Sequence, residues 1–90
     1  MAGAHDDLTA LRQHIDSLDD QILDLVNERA RLAEGVARAK AQRVQAAEVY
    51  RPEREAEVLR RLTERNDGPL SAEQVTVLFR EIMSACRALQ

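Results

Sequence analysis

Residues 25–40 read LVNERARLAEGVARAK, and their large apolar side chains recur on one face of a helix. Leu25, Leu32 and Val36 keep the three- and four-residue steps of a helix that packs along an apolar seam. The seam position between Leu25 and Leu32 holds Arg29 instead of a leucine. A buried guanidinium is costly unless a partner neutralises it. This stretch therefore predicts a packed helix with a cation that needs a partner.

The apolar seam extends through the first half of the chain. Its positions alternate steps of three and four residues from residue 8 to residue 39 without a break. They are Leu8, Leu11, Ile15, Leu18, Ile22, Leu25, Arg29, Leu32, Val36 and Ala39. An uninterrupted seam of this kind predicts one long helix over residues 7–43, with Asp6 or Asp7 capping its first turn.

Two shorter helices are predicted in the second half. Pro52 suits the first turn of a helix over residues 52–65, which the breaker cluster NDGPL at residues 66–70 ends. Ser71 and Gln74 form a capping box that opens a third helix over residues 71–90. The residues predicted to be buried on these two helices are Val58, Leu59, Leu62, Val75, Leu78, Phe79, Ile82, Cys86 and Leu89. The predicted fold is all-α, one domain over residues 1–90 with one long and two shorter helices.

The composition fits a helical protein and argues against several partners. Aromatic residues make up 2% and charged residues 32% of the chain, whereas sheets favour aromatic and β-branched side chains. The net charge of −3 argues against a nucleic-acid partner, because phosphate binding needs a basic surface. No apolar run reaches the ~20 residues that span a bilayer, and the chain begins without a signal-peptide core. The single cysteine fits a reducing compartment, so a cytoplasmic protein with no membrane partner is predicted.

The length of the first helix predicts a homodimer. A helix over residues 7–43 would run about 55 Å at ~1.5 Å per residue. A compact chain of this size has a radius of gyration of about 12 Å and would be only roughly 30 Å across. The long helix must therefore protrude, and its apolar seam needs a partner. We expect an obligate homodimer in which the long helices pair and the shorter ones wrap around them.

Three cations on the long helix predict an anion site. Arg29 and Lys40 lie within ~20° of one face and roughly 16 Å apart, so they can converge on a small ligand. Arg12 is about 25 Å from Arg29, and it would reach the same site from the partner of an antiparallel dimer. Arginine forks suit carboxylates, which favours a small, multiply anionic ligand.

The second helix adds to the predicted site, and the long-helix cations also have simpler interpretations. Arg54 and Glu55, at the start of the second helix, supply another cation and one acceptor. Arg29 could instead extend out of the seam to pair with Glu28 or Glu34 near the surface. Lys40 could equally be a solvated residue near a helix end.

Three segments of the chain resemble the all-helical class of chorismate mutase. They are LRQHIDSLDDQILDLVNERARLAEGVARAK at 11–40, VYRPEREAEVLRRL at 49–62 and LFREIMSACRALQ at 78–90. The similarity is greatest to the N-terminal mutase domain of bifunctional chorismate mutase–prephenate dehydratases, and it covers about residues 8–90. It implies an intertwined three-helix dimer with two sites, each holding residues of both protomers. It also implies the conversion of chorismate to prephenate in phenylalanine and tyrosine biosynthesis.

The resemblance assigns roles to the cations of the long helix. Arg12 matches the arginine that the family sends into the neighbouring subunit's site. Arg29 matches the arginine that grips a substrate carboxylate. Lys40 matches the lysine that reaches both a carboxylate and the ether oxygen whose bond breaks. The resemblance thus assigns Lys40 and Arg29 to catalysis as well as to substrate binding.

The other predicted site residues lie in the second and third segments. Arg54 matches a site arginine, and Glu55 matches the acceptor for the substrate hydroxyl. Gln90 matches the second donor to the ether oxygen, which is a catalytic role. Arg51 stands where many members have an aspartate near the ring hydroxyl, so only its backbone could serve there. Cys86 stands where some members place a serine against a carboxylate, and a thiol is a weak donor.

The implied reaction is a unimolecular pericyclic rearrangement, so no cofactor and no metal is expected. The protein can select the compact conformer of a flexible dianion and place positive charge at the ether oxygen. An isochorismate pyruvate-lyase shares the architecture and the cation cluster, and the segment YRPERE favours the mutase over it. A non-catalytic dimerisation module is a third interpretation. It predicts that Arg29, Lys40 and Gln90 can be replaced together with no loss beyond stability.

Overall fold

The computed structural model describes the backbone of residues 4–41 and 52–88, and the side chains of residues 7–39 and 52–88. It contains three helices in these ranges: α1 (Ala4–Ala41), α2 (Pro52–Arg65) and α3 (Ala72–Arg87). No strand occurs in the described ranges. The prediction of an all-helical fold with one long and two shorter helices is confirmed.

The N-terminus of α1 differs from the prediction. The helix begins at Ala4, so Asp6 and Asp7 lie inside its first turn and neither is its N-cap. Acidic residues are favourable in a first turn as well as at a cap, because the helix dipole is positive there. The sequence signal was therefore correct for a helix start but wrong by a few residues. The predicted end at residue 43 lies outside the described residues.

A short turn and a capping box join α2 to α3. Asn66 closes the turn by donating from Nδ2 to the carbonyl of Leu70 at 2.6 Å, and its Oδ1 accepts from the Gly68 amide at 3.3 Å. Ser71 then caps α3, since its Oγ accepts from the Gln74 amide at 3.1 Å. The Gln74 side chain in turn accepts from the Ser71 amide at 2.9 Å. The predicted capping box is confirmed, and it fixes where α3 begins.

The core of the described chain lies along α3, which packs against both α1 and α2. The buried side chains of this core are Val58, Val75, Met83 and Cys86. Met83 was not predicted to be buried, whereas Leu78, predicted to be buried, is 48% exposed. The reason is that α3 contacts two helices, α1 and α2. Its buried face therefore differs from the single amphipathic stripe that the sequence pattern defines. The remaining predictions for α2 and α3 are half-buried, and Leu89 lies outside the described residues.

Most of α1 projects beyond the rest of the molecule. The chain extends 67 Å along its longest axis and has a radius of gyration of 17.8 Å. A compact globule of this length would have a radius of gyration of about 12 Å. On α1, Val26, Ala30, Ala33 and Ala37 are half-buried where the helix contacts the rest of the described chain. They form a stripe beside the predicted seam and do not belong to it.

The predicted seam itself is exposed in the single chain. Its exposed large residues, called the exposed seam below, are Leu8, Leu11, Ile15, Leu18, Ile22, Leu25, Leu32 and Val36. Leu25 and Leu32 are 63% and 68% exposed. A contiguous apolar strip of this length on one helix face is typical of a surface that binds another protein. The folded chain therefore leaves its strongest apolar pattern unpaired within the described residues.

Candidate functional site

The predicted site residues of α1 lie on one continuous helix. Arg12 is exposed and Arg29 is half-buried. Lys40 is the residue before the last residue of α1, and its side chain lies outside the described residues. Because α1 is unbroken from Ala4 to Ala41, positions 29 and 40 share one face, and position 12 is about 25 Å away from position 29. The helix thus orders these positions as the sequence predicted.

Arg29 makes no ion pair with Glu28 or Glu34 within the described residues. The simpler interpretation, in which the guanidinium pairs with a neighbour on its own helix, has no support from this geometry. Arg29 is half-buried beside the exposed seam, between Leu25 and Leu32. Among the described residues, no carboxylate of α1 competes with an anionic ligand for this guanidinium.

The residues of α2 and α3 meet at one end of the α2–α3 pair. Glu55, in the first turn of α2, accepts a hydrogen bond at Oε2 from Nη1 of Arg87, in the last turn of α3. The contact shows that α2 and α3 run antiparallel. It also places Arg54 and Glu55 near the α3 terminus that carries Cys86. The structure thus brings Glu55 into contact with the end of α3, and Arg54 stands next to it in the first turn of α2.

Arg54 faces solvent in the single chain. Its Nη1 donates to Glu57 Oε1 at 2.9 Å, and the two side chains are 65% and 59% exposed. A surface ion pair of this kind contributes about 0.2–1 kcal/mol, so Arg54 can exchange Glu57 for a ligand carboxylate at little cost. The contact does not prevent Arg54 from binding an anion.

The three other predicted site residues are Cys86, Arg51 and Gln90. The Cys86 side chain belongs to the core, where the residue is 2% exposed. This agrees with a structural role, and a substrate contact by its thiol stays a prediction. Arg51 and Gln90 lie outside the described residues, and their predicted roles stay predictions as well.

Arg87 is a charged residue that the sequence analysis did not single out. It follows the buried Cys86 and lies four residues after the buried Met83, so it occupies the inner face of α3. Glu55 lies three residues before the buried Val58 on the inner face of α2. The sequence did contain a signal for this ion pair. The inner faces of α2 and α3 carry charges of opposite sign, and these charges lie at the ends that meet when the two helices are antiparallel.

One open depression of the described chain lies apart from the predicted site residues. It is at the start of α3 and is lined by Ser71, Glu73, Gln74, Val77, Leu78 and Glu81. Over residues 7–39 and 52–88, no group of three or more His, Cys, Asp and Glu residues could hold a metal ion. None of the described helices combines the length and the apolar character that crossing a membrane requires.

Comparison with protein families identifies a match over most of the chain. The profile of the family "Chorismate mutase type II" matches residues 11–90. A bifunctional chorismate mutase/prephenate dehydratase of Stutzerimonas stutzeri is 56% identical over 88 residues, which is 94% of this chain and 24% of that protein. The corresponding protein of Pseudomonas aeruginosa is 54% identical over 88 residues, again 94% of this chain and 24% of that protein. The chain thus spans about a quarter of the length of these relatives.

Solved structures with the same fold are named as chorismate mutases. A chorismate mutase of Thermus thermophilus superimposes with a TM-score of 0.87 at 36% identity, covering 92% of each chain. A chorismate mutase of Helicobacter pylori in complex with prephenate gives a TM-score of 0.80 at 33% identity. That comparison covers 91% of this chain and 87% of the other.

Proposed function

Because this chain belongs to the chorismate mutase type II family, we propose that it rearranges chorismate to prephenate, an intramolecular isomerisation in phenylalanine and tyrosine biosynthesis. One observation carries the proposal: Arg29 is half-buried, and among the described residues it pairs with no carboxylate of its own helix. A dicarboxylate such as chorismate supplies the missing anion. Charge complementarity and family membership therefore point to the same ligand.

The proposal includes a homodimer. The exposed seam runs from Leu8 to Val36, about 42 Å at ~1.5 Å per residue, and an apolar strip of that length is unfavourable in water. A second α1 offers the matching surface, because a two-fold dimer pairs the same strip on both chains. Fully burying each of these leucine, isoleucine and valine side chains contributes about 1.5–3 kcal/mol. Pairing of two α1 helices is therefore strongly favoured.

The same arrangement completes the site. Arg12 lies about 25 Å from Arg29 along α1 and cannot share a small ligand with it in one chain. In an antiparallel pair, the N-terminal part of the partner helix lies beside residues 29–40. The partner's Arg12 then enters the site formed by Arg29 and Lys40. Each dimer holds two such sites, and each site draws on both protomers.

The chemistry of the site follows from the charges. The two carboxylates of chorismate are held by the arginines, chiefly Arg29 and the partner's Arg12, in the compact conformer whose reacting carbons lie close together. One C–O bond breaks while one C–C bond forms, and negative charge develops on the ether oxygen. Lys40 and Gln90 donate hydrogen bonds to that oxygen. The rate gain comes from restricting the conformer and stabilising this charge, and no proton relay or covalent intermediate is needed.

An assay of chorismate consumption with product identification tests the proposal. Prephenate as the sole product supports it. Release of pyruvate from isochorismate, with no prephenate from chorismate, would identify the lyase instead. A folded protein that consumes neither compound would indicate a non-catalytic dimerisation module. The expected cytoplasmic location is a separate prediction.

A further inference from the structure

The ion pair between Glu55 and Arg87 links two helices at the candidate site. The residues are 32 positions apart in the chain, and the pair joins the first turn of α2 to the last turn of α3. Their side chains are 26% and 36% exposed, so the pair is partly shielded from water. The exposed pair Arg60–Glu64 on α2, by contrast, is 3.8 Å long and both side chains are 67% exposed.

The core sets the backbone position of Arg87. This residue directly follows Cys86 and lies one turn after Met83, both of which are buried. The Ala88 amide donates to the Ser84 carbonyl at 3.1 Å, so Arg87 lies in the hydrogen-bonded last turn of α3. Arg87 therefore approaches the Glu55 carboxylate from a rigid base. The planar guanidinium presents its donors in a fork that matches a carboxylate, so it restricts the carboxylate more than the point charge of a lysine would.

Stability alone gives little reason for this pair. Partial burial removes water from both charges, and an apolar pair of similar volume in such a position is often as stable or more so. The core of the α2–α3 pair is already formed by four buried apolar residues, Val58, Val75, Met83 and Cys86. What an ion pair does and an apolar pair cannot do is hold a carboxylate in one orientation.

The atoms in contact leave Glu55 able to bind a ligand. Arg87 contacts Oε2, and a carboxylate has a second oxygen with lone pairs of its own. We propose that Arg87 is a positioning residue that orients Glu55 so that Oε1 accepts the ring hydroxyl of chorismate. This inference rests on the proposed function, and it adds a residue to which no role has been assigned.

The proposal predicts a specific kinetic effect. The ring hydroxyl takes no part in the bonds that break and form, so its hydrogen bond is as strong in the bound substrate as in the transition state. Losing such an interaction raises KM and leaves kcat nearly unchanged. We expect Arg87→Met to raise KM for chorismate about tenfold, the effect of one hydrogen bond to a charged group, with kcat changed less than about threefold. A merely structural role would lower kcat or the melting temperature and leave KM unchanged.

A double-mutant cycle separates positioning from direct contact. In a Glu55→Ala background, Arg87→Met should have little further effect on KM, because the acceptor that Arg87 positions is gone. Additive effects of the two substitutions would show that Arg87 acts independently of Glu55 and would overturn the proposal. Arg60→Met, which removes an exposed arginine from an ion pair on α2, is the matched control and should retain the wild-type KM.

The outcomes distinguish this inference from the proposed function. A wild-type chain that does not convert chorismate overturns the proposed function and this inference with it. An active wild type whose Arg87→Met variant has the same KM as Arg60→Met overturns the positioning role alone. If Arg87→Met does not fold, Arg87→Leu carries the test, since it also removes every donor to Glu55 and keeps an apolar side chain beside the core. A raised KM for that variant supports the proposal, and a wild-type KM contradicts it.

Discussion

Arg29 is a single residue that interrupts the apolar spacing of α1, and we attribute the interruption to function. Its neighbours Leu25 and Leu32 continue the exposed seam, and only this position within the pattern carries a full charge. A cation there weakens the apolar strip, so it needs a compensating interaction. Within the described residues no carboxylate of α1 provides one. The substrate carboxylate in our proposal provides it, which ties the irregularity of the sequence to the chemistry.

Replacing Arg29 by methionine should separate activity from stability. Arg29→Met removes charge-assisted hydrogen bonds to a carboxylate, each worth about 1.5–3 kcal/mol, so kcat/KM should fall by about a hundredfold or more. The melting temperature should be unchanged or higher, because an apolar side chain suits the seam. Kinetics and thermal unfolding measured on the same preparation test this. Arg31→Met, at an exposed neighbouring position, is the control, and an equal loss in both variants would contradict the assignment.

At the level of elements, the sequence predicted what is determined locally. The bounds of α2 and the capping box at Ser71 depend on residues that are close in the chain, and both were correct. The burial of Met83 and the exposure of Leu78 depend on how α3 lies between its neighbours. The contact of Glu55 with Arg87 depends on the antiparallel pairing of α2 and α3. Periodicity within one helix does not contain that tertiary information.

Removing the capping box at Ser71 should lower the stability of the protein and leave its activity unchanged. Ser71→Ala removes the acceptor for the Gln74 amide and should destabilise the protein by about 1 kcal/mol. For a domain of this size that corresponds to a melting temperature lower by about 4–8 °C. Thermal unfolding by circular dichroism measures it, and kcat/KM at room temperature should be unaffected. Ser84→Ala, inside α3, should not lower the melting temperature, and a similar loss in both variants would show that the cap is not responsible.

At the level of the whole molecule, the shape of the chain is the main argument for a partner. A radius of gyration of 17.8 Å and a length of 67 Å are too large for a self-contained globule of 90 residues. The sequence predicted this protrusion from helix length alone. It did not predict that α1 would contact the described remainder of its chain through a separate, mostly alanine stripe. Because α1 contacts the rest of the described chain through that stripe, the exposed seam remains accessible to a second chain.

A charge in the exposed seam should prevent dimerisation. Leu18→Asp places a carboxylate in the strip that we expect to be buried between two α1 helices, and an unpaired buried charge is strongly destabilising. Light scattering at micromolar concentration should give the mass of a dimer for the wild type, and a monomer or an unfolded chain for the variant. Ser17→Asp adds the same charge off the seam and should remain a dimer. A wild-type protein that is an active, folded monomer would contradict the dimer model.

Activity recovered from two inactive parents tests the central claim most directly, namely that each site combines Arg29 of one chain with Arg12 of the other. Arg12→Ala and Arg29→Ala chains are refolded separately and as an equal mixture, and the initial rate of chorismate consumption is measured. In the mixture, half of the dimers should combine the two variants and carry one intact site each. We predict two nearly inactive parents and a mixture with about a quarter of the wild-type specific activity. A mixture no more active than its parents would mean that Arg12 and Arg29 do not serve one site from opposite chains, and it would contradict the account.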